Sequence, residues 1–199
     1  ATRYRTAAAP IVTAGPTVTR PAKEATKTIP VVMAQDNDPV GNGFVASLAR
    51  PGGNITGLSS LSSEISGKRM EILKEIVPKL SRVAILGNST VPGNAQALKE
   101  TELAAGAFGV QIQNLDIRDT KDIEAAFRTA SKARVDALLA LNTPIHIQQA
   151  IPGLAVKNRL PAIYFQSTTV VDYGGLMSYG ASVSDLDRRA AVYVDKILK

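Results

Sequence analysis

Short hydrogen-bonding side chains follow most of the apolar runs in this sequence, and these are the residues whose types and spacing could do chemistry. They are mainly Ser, Thr, Asn, Gln and Asp, with hardly a cation among them. Neutral donors and acceptors of this kind suit the reversible binding of a neutral, zwitterionic or carboxylate-bearing small molecule. For any one residue, the simpler interpretation is a cap on the helix that follows it. The candidate ligand-binding residues are Gly15, Pro16, Thr17, Asn37, Asp38, Ser59, Ser60, Asn88, Ser89, Asn142, Thr143, Gln166 and Ser167.

The sequence offers few groups for catalysis. It contains no cysteine, which excludes thiolate catalysis and cysteine-ligated zinc. The single histidine, His146, has no nucleophile or metal ligand beside it in the sequence. Asp36 and Asp38 are spaced as in some acid–base or metal sites, but next to Pro39 they are more typical of turn and capping residues, one of which could receive a ligand ammonium. We therefore predict a protein that is not an enzyme and that uses no metal ion or cofactor.

One segment imitates a nucleotide-binding motif. Gly41–Ala46 matches G-x-G-x-x-A, and Glu64 follows at about the distance expected of a ribose-binding acid. The motif requires its first glycine directly after a strand, whereas residues 35–40, including a proline, intervene here. A nucleotide-dependent α/β enzyme is therefore the weaker alternative to a binding protein.

Strand-length apolar runs alternate with amphipathic segments of helix length, and this order predicts βαβ units with parallel sheets. Ligands of such sheets bind outside the carboxyl ends of the strands, which is where the candidate residues stand. The break at residues 51–53 predicts a crossover between two lobes, with strands of the first lobe missing. Strands are predicted at 11–12, 29–34, 54–58, 83–86, 110–117, 137–141 and 162–165, and helices at 65–77, 98–108, 119–130, 144–157 and 184–198.

Charge and hydropathy exclude two classes of partner. The net charge is +6, but the Lys and Arg residues are scattered and form no basic block, so we predict no nucleic-acid binding. No apolar run approaches the ~20 residues that cross a bilayer, so no membrane insertion is predicted. Residues 1–10 lack the apolar core of an export signal, and composition leaves the compartment open.

Longer segments resemble a known family. They include LARPGGNITGL at residues 48–58, GKRMEILKE at 67–75 and GGLMSYG at 174–180, together with ATKTIPVV at 25–32 and DPVG at 38–41. From about residue 10 to residue 199 the chain resembles the large bacterial family of ABC-transporter substrate-binding proteins, which includes binders of tryptophan and other aromatic amino acids.

The resemblance implies a type I periplasmic binding protein fold, with two Rossmann-like lobes that close on a ligand. It implies that residues 1–53 form part of an incomplete first lobe, 54–170 the second lobe, and 171–199 the return crossover and a helix of the first lobe. It places Ser59 and Ser60 on the second-lobe side. It also places Tyr179 at the return crossover, where its ring could cover the ligand.

The function implied by the resemblance is that of the solute-binding component of an ABC import system. Such a protein holds a small molecule, here an amino acid or related small acid, in the cleft between its lobes and presents it to a membrane permease. It works in the periplasm, or lipid-anchored outside the cytoplasm. A ligand-sensing domain of a signalling or regulatory protein has the same fold, so this alternative stays open.

Overall fold

The computed structural model describes residues 9–199. Contacts divide the chain into two compact units, of which unit 1 joins Ala1–Leu61 to Ala181–Lys199 and unit 2 is Ser62–Gly180. The sequence had placed the boundaries at residues 53 and 170. The first boundary differs because the strand that follows the break at 51–53 pairs with the strand before it, so the break lies inside unit 1 and is not a crossover.

Strands and helices alternate along most of the chain, as the apolar pattern predicts. In chain order the elements are β1 Ile11–Ala14, α1 Pro16–Ala25, β2 Val31–Gln35, β3 Ile55–Gly57, α2 Ser66–Ile76, β4 Arg82–Gly87, α3 Asn94–Ala107, β5 Gln111–Asp116, α4 Thr120–Lys132, β6 Ala137–Ala140, α5 Ile145–Lys157, β7 Ala162–Tyr164, α6 Thr168–Val171, β8 Met177–Ser178 and α7 Val183–Leu198.

Unit 1 is built on a parallel three-stranded sheet in the order β1-β2-β3. The central strand β2 is buried on both faces, because alternate side chains of a strand point to opposite sides. Val31 and Met33 pack in a cluster with Phe44, while Val32 and Ala34 pack with Leu186 of α7. Burial on both faces explains why β2 is a continuous apolar run.

The last residue of β3 can only be glycine. Gly57 has a φ of +139°, and a Cβ atom there would lie 2.1 Å from the carbonyl oxygen of Met33. Gly57 is the register partner of Met33 in the β2–β3 pair. The glycine therefore allows β3 to run against β2 at its carboxyl end.

Unit 2 has a parallel five-stranded sheet in the order β5-β4-β6-β7-β8. Two apolar clusters cover its faces, one containing Phe127 of α4 and Ile151 of α5, the other Met70 of α2 and Ala105 of α3. Helices on both faces of a parallel sheet define a doubly wound α/β unit. The predicted α/β class with parallel sheets is confirmed.

Helix α5 covers the predicted segment and continues through Pro152, because Ile147, Ile151 and other buried side chains hold it against the core. Two short elements differ from the sequence interpretation. Helix α6 and strand β8 were not predicted, since they contain only four and two residues. Segments this short show no measurable periodicity.

Between residues 9 and 199, no helix combines the length and the apolar character that crossing a bilayer requires.

Candidate functional site

The carboxyl ends of β4 and β6 meet at the centre of the unit 2 sheet. The chain leaves β4 for β5 on one side, while β6 lies on the other, so the connections diverge here. Such a switch point opens a crevice in doubly wound sheets. The predicted residues Asn88 and Asn142 follow these two strands.

Asn94, at the start of α3, joins these two strand ends. It is 6% exposed, and its Nδ2 donates to the carbonyl oxygens of Asn88 and Asn142 at 2.8 and 2.7 Å. Sequence reasoning missed Asn94 because its partners lie in distant segments. An asparagine opening a helix shortly after a strand was the one clue available.

A second amide joins the ends of β6 and β7. Gln148 Nε2 donates to the Thr143 carbonyl, and Gln148 Oε1 accepts from Gln166 Nε2 at 2.7 Å. The Thr143 hydroxyl is buried and has no hydrogen-bond partner within the described residues. Two predicted residues, Thr143 and Gln166, are thus brought together through a residue the sequence did not single out. Ser167, also predicted, is exposed and precedes α6.

Ser89, two residues after β4, lies on the side of β5, away from β6. Its N–H and hydroxyl donate to the two carboxylate oxygens of Asp116 at 2.8 and 2.9 Å, and its oxygen accepts from Arg118 at 3.1 Å. Burial alone would raise the pKa of Asp116, but hydrogen bonds from Ser89 and Arg118 outweigh this effect and lower it. The hydrogen-bonding capacity of the Ser89 hydroxyl is used inside unit 2.

A cavity of about 330 Å³ opens on this β4–β5 side. Its lining combines apolar and polar groups: Gly87, Asn88, Ser89, Asn94, Ala95, Leu98, Asn114, Asp116, Arg118 and Leu141. Asn88 Oδ1 accepts from the N–H of Thr90 at 2.9 Å and also bonds the Thr90 hydroxyl, so its oxygen stabilises the turn after β4. The Asn88 oxygen therefore belongs to a turn and does not cap α3, whose N-cap residue is Gly93.

In unit 1 the predicted residues gather around Asp36, at the end of β2. The hydroxyls of Ser59 and Ser60 each donate to the Asp36 carbonyl at 3.2 Å, and Ser60 also donates to Asn37 Oδ1 at 3.4 Å. Ser59 and Ser60 thus belong to unit 1 and not to the second-lobe side, because β3 pairs with β2.

The end of β1 joins the same group. The N–H of Gly15 donates to the Gln35 carbonyl at 2.8 Å, and Pro16 and Thr17 form the first turn of α1. Proline suits the first position of a helix, because the backbone N–H that it lacks would have no partner within the helix there. Asp38 caps a turn, since its Oδ1 accepts from the N–H of Gly41 at 2.8 Å.

Asp36 itself is the most unusual side chain in unit 1. It is 1% exposed, and its Oδ1 accepts from the N–H of Asp38 and from Asn42 Nδ2 at 3.2 and 3.1 Å. Its Oδ2 is buried with no partner among the described residues. Burial, opposed by these hydrogen bonds, raises the pKa of Asp36 above its ordinary value.

Tyr179 follows β8 in unit 2. Its N–H donates to the Tyr164 carbonyl at 3.1 Å and its carbonyl accepts from Arg69 Nε at 2.7 Å. The residue is 41% exposed. The backbone is therefore fixed while much of the side chain stays accessible.

The described chain has no group of three or more His, Cys, Asp and Glu side chains that could hold a metal ion. His146 is exposed in the first turn of α5. Gly41–Ala46 forms turns and irregular backbone with no helix directly after it. It therefore lacks the helix N-terminus on which a pyrophosphate would bind.

The α/β units with parallel sheets match solved type I periplasmic binding proteins. A Streptococcus pneumoniae ABC domain in complex with L-Trp superimposes with a TM-score of 0.82 at 23% identity, covering 98% of this chain and 67% of that one. A conserved domain protein from Vibrio cholerae O1 biovar El Tor gives a TM-score of 0.85 at 26% identity, covering 96% of this chain and 64% of that one.

Residues 6–199 match the family described as "ABC transporter substrate binding protein", and the chain belongs to that family. A tyrosine-binding protein of Clostridioides difficile (strain R20291) is 24% identical over 180 residues. This match covers 89% of the present chain and 51% of the relative, so the chain spans about half the relative's length. The predicted family is confirmed.

Proposed function

We propose that this protein is the solute-binding component of an ABC import system and that it binds an amino acid or a related small acid. Its family is one of substrate-binding proteins, which supports the import role. The tyrosine-binding relative and the structure solved with L-Trp make an aromatic amino acid the first ligand to test. A permease partner and a location outside the cytoplasm are parts of the same proposal.

The observation that carries the proposal is the gathering of polar groups at the carboxyl edge of each sheet. In unit 2 the buried Thr143 hydroxyl has no hydrogen-bond partner among the described residues, so it could donate to a bound carboxylate. Helix α5 begins two residues later at Ile145, and the first N–H groups of a helix attract a carboxylate. This edge suits the acidic end of a solute.

In unit 1, Asp36 suits an amino group. Its Oδ2 lacks a partner, and it takes part in none of the ion pairs of residues 9–199. The neighbouring charge that acts on it, Asp38, is also negative. A ligand ammonium would donate a hydrogen bond to Asp36 Oδ2 and would compensate the negative charge of the carboxylate. A solute that carries an amino group therefore fits unit 1 better than one without it.

Mass spectrometry of small molecules released on denaturing the purified protein would identify a retained ligand directly. Calorimetry with L-tryptophan, tryptamine and indole-3-propionate then tests each end of the solute. Tryptamine lacks the carboxylate and indole-3-propionate lacks the ammonium, so each is expected to bind at least about tenfold more weakly than L-tryptophan.

Equal binding of all three compounds would contradict recognition of the amino-acid ends. Release of a different solute class would contradict the proposed ligand and leave the binding role supported. No released solute and no binding of L-tryptophan, L-tyrosine or L-phenylalanine would contradict the proposal itself.

A further inference from the structure

Arg69 of helix α2 is a charged side chain buried inside unit 2. It is 1% exposed and forms no ion pair within the part of the chain that the structure describes. Burial lowers its pKa to about 10, so it keeps its charge at neutral pH. A buried cation without an anion is costly unless its donors are all satisfied.

The donors of Arg69 are satisfied by neutral oxygens from three separate segments. Nη1 donates to the Ser62 carbonyl and the Ser66 hydroxyl at 2.8 and 2.9 Å, and Nη2 donates to the Ser62 hydroxyl at 3.0 Å. Nε donates to the Tyr179 carbonyl at 2.7 Å, and Nη2 makes a longer contact of 3.5 Å with the Phe165 carbonyl. The planar fork of a guanidinium can serve such divergent acceptors at once, which an ammonium cannot do.

Two of the acceptor residues of Arg69 lie at the points where the chain crosses the boundary of unit 2, called here the entry and exit passages. Ser62 is the first residue of unit 2 and Tyr179 is its last but one, so they stand where the chain enters and leaves the unit. Phe165 follows β7 directly and precedes Gln166, a candidate ligand-binding residue. One side chain thus holds both chain passages and the end of a strand.

The packing of Gly180 supports this interpretation independently. A Cβ atom on Gly180 would lie 2.2 Å from the Phe165 carbonyl oxygen and 3.6 Å from Nη2 of Arg69. The exit passage therefore lies directly against the end of β7, and only glycine permits this approach.

We infer that Arg69 is a positioning residue that fixes the entry passage, the exit passage and the end of β7 in one arrangement. Tyr179 and Gln166 are thereby held in place before a ligand arrives. The fixing of the passages is a property of unit 2 alone. Its consequence for affinity rests on the proposed solute-binding function.

Hydrogen exchange without added ligand tests whether Arg69 fixes the two passages. It compares the wild type with Arg69→Met and Arg69→Lys variants of the full chain. Peptides covering residues 60–64 and 177–181 are expected to exchange about tenfold faster or more in both variants, while the β4 core keeps its protection. The lysine variant retains the charge, so rescue by lysine would show that charge and not the fork matters, and would overturn the inference.

A control variant separates positioning from general destabilisation. Phe127→Leu removes volume from the buried cluster on α4 and should leave exchange at both passages unchanged relative to the rest of unit 2. If it accelerates the passages as much as Arg69→Met does, the inference is wrong.

Ser62→Ala gives a milder route if both arginine variants fail to fold. It removes one acceptor of Nη2 and should speed exchange at residues 177–181 about two- to fivefold, far away in sequence. Unchanged exchange there would refute the coupling.

Calorimetry with L-tryptophan tests whether the position held by Arg69 matters for ligand affinity. Arg69→Met is expected to lower the affinity at least about tenfold, whereas Phe127→Leu leaves it intact. Unchanged affinity in Arg69→Met would remove the consequence for binding. If the wild-type protein does not bind L-tryptophan, the proposed ligand fails, and the exchange experiment still decides the role of Arg69.

Discussion

Replacing Thr143 by valine separates the stability of the protein from its affinity for a solute. The two side chains have nearly the same shape, and the substitution removes only the hydroxyl. This hydroxyl is buried without a hydrogen-bond partner among the described residues, and Thr143 is 2% exposed. We expect Thr143→Val to be more stable than the wild type and to bind more weakly.

The expected changes in unfolding and binding free energy follow from the hydrogen bonds that the hydroxyl makes in the free and in the bound protein. A buried polar group without a partner costs about 1–3 kcal/mol, so valine should raise the free energy of unfolding by about 1 kcal/mol. Loss of a hydrogen bond to a ligand should weaken binding by about 0.5–1.5 kcal/mol, and by more for a charged carboxylate.

Two matched variants of the same chemistry serve as controls. The hydroxyl of Thr101 is also buried but donates to the Ala97 carbonyl at 2.7 Å, so Thr101→Val should lower stability and leave affinity unchanged. The hydroxyl of Thr169 is buried and has no partner within residues 9–199, but Thr169 is not a candidate ligand-binding residue, so Thr169→Val should raise stability and leave affinity unchanged.

Urea unfolding followed by circular dichroism gives the stabilities, and calorimetry with L-tryptophan gives the affinities. A fall in stability for Thr143→Val comparable to that of Thr101→Val would show that the hydroxyl is satisfied in the free protein. Unchanged affinity would remove Thr143 from the site.

Three further predictions concern other residues. Asp36→Asn should flatten the pH dependence of the free energy of unfolding. Because the pKa of Asp36 is raised in the folded protein, the stabilisation from its protonated form is present at low pH and is lost as the pH rises through the raised pKa. Urea unfolding between about pH 4 and 8 measures this change. Asn94→Ala should lower the free energy of unfolding by about 1–3 kcal/mol, because one buried and one part-buried carbonyl lose a donor. A loss below about 0.5 kcal/mol would show that these bonds are dispensable. Gly57→Ala should prevent native pairing of β3 with β2, since its Cβ would meet Met33, and a wild-type circular dichroism melting curve would contradict this expectation.

The regular part of the fold could be predicted from the sequence because local patterns determine it. Strands β4, β6 and β7 are buried apolar runs that alternate with helices, and parallel pairing follows from that order. The placement of β3 was not local, because it depends on a register between Val31 and Ile55. A boundary chosen from the Pro-Gly-Gly break alone therefore assigned β3 to the wrong lobe.

The candidate site was predictable to the level of strand ends. Parallel strands place their carboxyl ends on one edge, so the segments containing Asn142 and Thr143 could be named in advance. Asn94, Gln148 and Arg69 could not, because each acts through partners that are remote in sequence. Their types are ordinary for helices, and only the folded chain distinguishes them from surface residues.

The discontinuity of unit 1 has a consequence for synthesis on the ribosome. Unit 2 is one uninterrupted segment and can fold once Gly180 has left the exit tunnel, whereas unit 1 also needs α7, whose Leu186 and Ala190 cover one face of β2. Until α7 emerges, Val32 and Ala34 face solvent or a chaperone. The nascent chain therefore carries an exposed apolar strand until α7 is synthesised, and such exposed strands favour aggregation during translation.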